Sequence, residues 1–218
     1  MESVPEWTGY YLPWIGDALR TETWGAGVRL LVLGESHYFG KPEDDRPEAT
    51  RELIQDAITP GTSPYLYFKM LPEILAGERS LDVDGRAKIW NSIAFENIVQ
   101  EAADSKTRRP KAGAIERGKP ALYQLINYLH PTHVLFVSRR AWDGVTYDKE
   151  FRGRLQETFR VDGRREAYEL HRGCVGGVTF WMTYILHPTN GHPPPPVSQS
   201  SQVVRRLLAK RSAPTAVS

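Results

Sequence analysis

Four apolar residues, Leu30-Leu31-Val32-Leu33, stand between Gly27 and Gly34, and the run ends abruptly in Glu35-Ser36-His37-Tyr38-Phe39-Gly40. It is too short for a helix and apolar at every position, so it fits a strand covered on both faces, as strands of a parallel sheet are. Such a strand delivers its chemistry where it ends. Far downstream a second apolar run, Phe180 to Leu186, ends in His187-Pro188-Thr189. Two strand ends are thereby expected to carry polar groups to one edge of a sheet.

Further strands are predicted at Ser92 to Val99, His133 to Ser138 and Thr179 to Leu186, with Glu166 to His171 pairing with the last through the glycine turn Gly173 to Gly177. Helical spacing is found at Pro47 to Ala57, Tyr65 to Leu75 (with Pro72 placed to break or bend it), Ala121 to Leu129, Asp148 to Phe159 and Ser198 to Lys210. Strands alternating with helices predict an α/β fold of three layers (αβα) around a mostly parallel four-stranded sheet. Asp104 to Lys119 reads as a basic surface loop, and Pro193 to Pro196 as a stiff extended connector.

With 218 residues, 40% of them hydrophobic, the chain can bury one substantial core, and a single domain over 1–211 with a frayed tail at 212–218 is expected. The formal charge of +2 conceals basic clusters in Lys106 to Lys119 and Arg139 to Arg165. Such clusters suit phosphate contacts, although runs of this kind are more often solvated faces. The lone Cys174 argues against a disulfide framework and a cysteine-rich metal centre. No apolar run is long enough to span a bilayer, and Glu2, Pro5 and Glu6 do not make the start of a signal peptide, so a cytoplasmic protein is expected. The scattered histidines and carboxylates have no ligand spacing, so neither a metal nor a cofactor is expected.

The order of these elements resembles the uracil-DNA glycosylase superfamily. Gly34, Tyr38 and Gly40 match in register its first motif, G-Q-D-P-Y-H-G; Asn97, in Ile93-Ala94-Phe95-Glu96-Asn97, stands where that superfamily has a pyrimidine-reading asparagine; and His187-Pro188-Thr189 resembles H-P-S. The resemblance spans roughly Arg29 to Leu208. It implies that Asn97 reads a base edge with its donor and acceptor, that His187 donates to the carbonyl of the departing base, and that Glu35 or His37 positions water. Ser36, Tyr38, Phe39, Thr189 and Asn190 would contact substrate, and Arg108, Arg109, Lys111, Arg139 and Arg140 would meet nucleic-acid phosphate.

Two departures matter. Ser36 replaces the aspartate that orients water in the best-known branch, and Gly191 falls where that branch places a leucine wedge. DNA or another nucleic acid is the expected partner, with single strands, RNA or a free nucleoside open as substrates. Each residue also has a plainer role open to it: Glu35 as a turn cap, His37 as a loop residue, Tyr38 and Phe39 as core aromatics, His187 as a structural imidazole. Two other functions stay open. A protein of the same fold would bind a base without cutting it, and Gly34-Glu35-Ser36 resembles the G-D-S start of SGNH ester hydrolases with Ser36 as nucleophile, although Tyr184 stands where their D-x-x-H has its aspartate.

Overall fold

A computed structural model describes residues 4–39, 41–103, 110–189 and 197–210. In chain order its elements are β1 (Trp14–Ile15), β2 (Leu30–Gly34), α1 (Ala49–Ile58), α2 (Leu66–Ala76), α3 (Val83–Asn91), β3 (Ile93–Asn97), α4 (Ala114–Leu129), β4 (His133–Phe136), α5 (Arg139–Val145), β5 (Arg154–Phe159), β6 (Tyr168–Val175), β7 (Val178–Tyr184) and α6 (Val197–Leu208). Short 3-10 turns lie at Glu22–Trp24 and Pro42–Asp44.

The protein is α/β, but its sheet has seven strands and is mixed, in the order β1-β3-β2-β4-β7-β6-β5, not four-stranded. The strands read as apolar runs form its centre: β2 pairs in parallel with β3 and β4, and β4 with β7. Antiparallel strands extend both sides, β1 on β3, and β6 then β5 beyond β7. The β6–β7 pair turns at Gly176 and Gly177, both with positive φ, as glycine permits.

Every residue of β2, β3 and β4 is buried, because helices cover both faces. His133 and Phe136 of β4 point to opposite faces by the two-residue period of a strand. His133 Nε2 lies 2.9 Å from the Lys210 carbonyl just past α6, whereas Phe136 meets Trp142 of α5 edge-on. α2 packs against α3 and α6, and α4 against α5. Among the described residues no helix is long and apolar enough to cross a membrane.

Two segments depart from the sequence reading, and three elements were not read at all. Asp148 to Phe159 is not a helix: Asp148 Oδ1 accepts from the Glu150 and Phe151 amides to close a turn, and β5 follows. Phe151, Leu155 and Phe159 imitate helical spacing, but Leu155 is 53% exposed on an edge strand whose alternation is too weakly apolar to read. The basic loop is shorter than expected, since α4 already starts at Ala114 and carries Pro120 inside it, as α2 carries Pro72. β1, α3 and α5 had no sequence signal strong enough to place them. Residues 104–109, 190–196 and 211–218, with Arg108, Arg109, Asn190, Gly191, the Pro193 to Pro196 connector and the tail, lie outside the described residues.

α4 is pressed onto the exit of β3 at Gly118, where an added Cβ would stand 1.7 Å from the Ile98 carbonyl oxygen, a backbone atom that cannot swing aside. Gly118→Ala is therefore expected to destabilise the fold by about 1–3 kcal/mol, the usual effect of overpacking. Chemical denaturation would measure it as a lower midpoint at an unchanged slope.

Candidate functional site

β2 has neighbours on both sides, reached by chain paths that leave in opposite directions: through α1, α2 and α3 to β3, then back through α4 to β4. Such a reversal opens a crevice at the carboxyl ends of the parallel strands. Backbone ladders continue past these ends, from the Val99 amide to the Glu35 carbonyl (2.9 Å), from Val137 to Leu33 (2.8 Å) and from Ile185 to Phe136 (2.8 Å). The exits of β2, β3, β4 and β7 are thus fixed against one another.

Glu35 is the first residue beyond β2. Its Oε2 accepts from Ser138 Oγ at 2.6 Å and its Oε1 from Arg140 Nη1 at 2.8 Å. Ser138 also caps α5, accepting from the Ala141 amide at 3.3 Å. One hydroxyl therefore joins the exit of β2 to the exit of β4. A carboxylate offers about four acceptor positions, so Glu35 keeps room for a water or a substrate hydroxyl. Tyr38, 43% exposed, hangs over it with its hydroxyl at 3.5 Å.

Asn97 is the cross-strand partner of Gly34, and its Oδ1 lies 2.0 Å from where a Cβ on Gly34 would stand. Glycine is required there for the carboxamide to lie over β2. The side chain is buried, yet among the described residues its carboxamide makes no hydrogen bond. Phe95, two residues earlier on the same face, packs near Tyr67 of α2 (6.2 Å between centroids), and Tyr67 stacks on His187 (4.9 Å, 23°).

His187 follows β7. The Thr189 amide donates to its Nδ1 at 3.3 Å, and Thr189 Oγ1 lies 3.1 Å from the same nitrogen. A backbone N–H can only donate, so Nδ1 is the acceptor and the neutral ring holds its proton on Nε2. Burial lowers the His187 pKa to about 4, against the opposing pull of Glu35, which is near enough to act on it. Near neutral pH the residue is thus an uncharged N–H donor beside a carboxylate. Thr189 has the role of orienting this ring.

The structure therefore brings Glu35, Tyr38, Asn97, His187 and Thr189 to one edge. His37 turns inward instead: its Nε2 lies 2.8 Å from Thr50 Oγ1, its ring stacks on Phe39 (5.2 Å) and meets Tyr11 edge-on, and burial lowers its pKa to about 4. Phe39, half-buried, has one ring face on His37. Ser36 Oγ is buried and among the described residues bonds to no histidine, His37 being held by Thr50 and His187 by Thr189, so neither stands as a base beside it. Arg139 is tied to Asp143 (2.8 Å) and the Tyr184 hydroxyl (2.6 Å), and Arg140 to Glu35, so both act within the edge; Lys111 is exposed. Among the described residues no group of three or more His, Cys, Asp or Glu is arranged to hold a metal ion.

Three residues escaped the sequence reading. Ser138 was legible as a polar residue at a strand exit preceding a helix. Tyr67 looked like one more aromatic on a helix face. Glu96 was hidden inside an apolar strand: its Oε1 accepts from the Asn97 amide and from Gln100 Nε2, each at 3.0 Å, and its Oε2 is buried and unpartnered. Burial raises its pKa to about 8, outweighing those bonds and the Arg51 charge.

No model of a known protein family matches this chain, and no curated protein is similar enough to count as a relative. Fold and site define an α/β protein with a carboxylate, a carboxamide and a neutral imidazole at the carboxyl edge of a parallel core.

The Glu96 carboxyl binds its proton more tightly folded than unfolded. Its contribution to stability is full below pH 4.5 and is lost as pH rises through about 8. Glu96→Gln is expected to match the wild type in Tm at pH 5 and to exceed it at pH 9 by several degrees, at about 2–4 °C per kcal/mol. Equal Tm values at both pH values would refute the buried neutral acid.

Proposed function

We propose that the protein is uracil-DNA glycosylase-like: it holds a nucleobase at the Glu35–Asn97–His187 edge and hydrolyses the bond joining that base to its sugar. The observation that carries this reading is the locked His187 tautomer. An imidazole whose Nδ1 is occupied by the Thr189 amide keeps its proton on Nε2 as a donor, and burial keeps it uncharged. This suits stabilisation of an anion developing on a carbonyl oxygen.

In the proposed reaction the C1′–N bond breaks and its electron pair leaves with the base, where the charge spreads onto a carbonyl oxygen facing His187. A water held by Glu35 adds its oxygen to C1′ and its proton passes to the base, leaving a free base and a sugar hydroxyl. Glu35, oriented by Ser138 and Arg140, supplies the negative charge that Ser36 does not, and steadies the cationic sugar. Asn97, with an unengaged donor and acceptor, would read the base edge.

A specific observation favours binding without cleavage as the second reading: Arg140 offsets part of the charge that Glu35 would bring to the sugar. The ester-hydrolase reading has no such support, because Ser36 lacks a base.

Base release from uracil-containing single-stranded DNA separates these. Cleavage by the wild type that falls about 10²- to 10³-fold in His187→Ala is the expected result. Salt-sensitive binding with no base released would favour the binding protein, and hydrolysis of an aryl ester abolished by Ser36→Ala would favour the esterase.

A further inference from the structure

Tyr67 stands alongside His187, and its hydroxyl is buried without a hydrogen-bond partner among the described residues. The ring alone accounts for the packing, against Phe68 (5.0 Å, edge-on), Phe95 and His187. Phenylalanine would pack there equally well and would leave no polar atom stranded, because a buried hydroxyl with no partner is unfavourable. The Asn97 carboxamide lies over Gly34 on the sheet face that also carries Phe95, the ring packed near Tyr67. A buried hydroxyl lacking a partner, stacked beside an imidazole whose Nδ1 is already engaged, suits a site that a polar ligand completes.

We propose that the Tyr67 hydroxyl is a second hydrogen-bond donor to the base held at His187, so that phenol and imidazole together stabilise the negative charge left on it. The inference rests on the glycosylase-like reading and deepens it by naming a residue that touches the substrate. Burial raises the Tyr67 pKa above that of an ordinary phenol, so near neutral pH the hydroxyl is a proton-bearing donor. Two neutral donors in a site shielded from water stabilise a developing anion with little reorganisation. The ligand class that fits is a base with a carbonyl oxygen beside its glycosidic nitrogen.

The test is Tyr67→Phe in the full chain, with Tm and the kinetics of uracil release from single-stranded DNA both measured. The hydroxyl is unpaired in the free protein, so its removal is expected to leave Tm unchanged or raise it by about 2–4 °C. Base release is expected to fall about 10- to 100-fold, mainly in kcat, because the bond strengthens as charge develops. Tyr67→Leu, which also removes the stack on His187, should lose more. Unchanged release in Tyr67→Phe, with wild-type release intact, would overturn the inference and leave the glycosylase-like reading standing. A wild type that releases no base would overturn both.

Discussion

The structure depends on the complete enclosure of β2. It is hydrogen-bonded on both edges, to β3 and to β4, and covered on both faces, so all five of its residues are buried. Its backbone groups are satisfied by the ladder, and its side chains contribute apolar burial at about 25 cal/mol per Å². Nothing polar is tolerated before Gly34, and the first polar group emerges in the crevice between diverging chain paths. The position of Glu35 follows from that enclosure, and Asn97 and Ser138 are held beside it by the same ladders.

Glu35 then serves as the joint between the two neighbouring exits. The Ser138 hydroxyl donates to it while capping α5, so the start of a short helix and the direction of a carboxylate are set by one oxygen. Arg140 closes the other side. Such an arrangement holds a charged group in one direction without full burial, the state in which it can act on a substrate. On the proposed reading it faces the sugar, while the uncharged donors at His187 and Tyr67 face the base.

The central strands were legible because a short run of three or more apolar residues that ends in polar or turn-forming residues has few alternatives. The same reading placed four strands in the sheet and Glu166 to His171 as a hairpin partner of the last, and it missed two, since β1 is two residues long and β5 alternates too weakly at an exposed edge. Helical spacing at Asp148 to Phe159 misled because three apolar residues four apart also occur by chance across a turn and an edge strand. Of the site, Glu35, Asn97 and His187 were visible as polar residues at apolar strand ends. The inward turn of His37 was not, because adjacent residues in a turn are indistinguishable until their rings have found Thr50, Tyr11 and Phe39.

By itself the sequence determined an α/β core with its polar residues at strand exits, since local apolarity and glycine placement decide which segments are buried and where they stop. Only the tertiary structure decided which of those polar residues meet. Strand order is settled by long-range pairing, and so is the conjunction of Tyr67, 120 positions before its partner His187, with the imidazole on which it stacks. The state of a titratable group belongs to the same level: His187 is uncharged and Glu96 holds its proton because of what buries them, and burial is a property of the assembled chain.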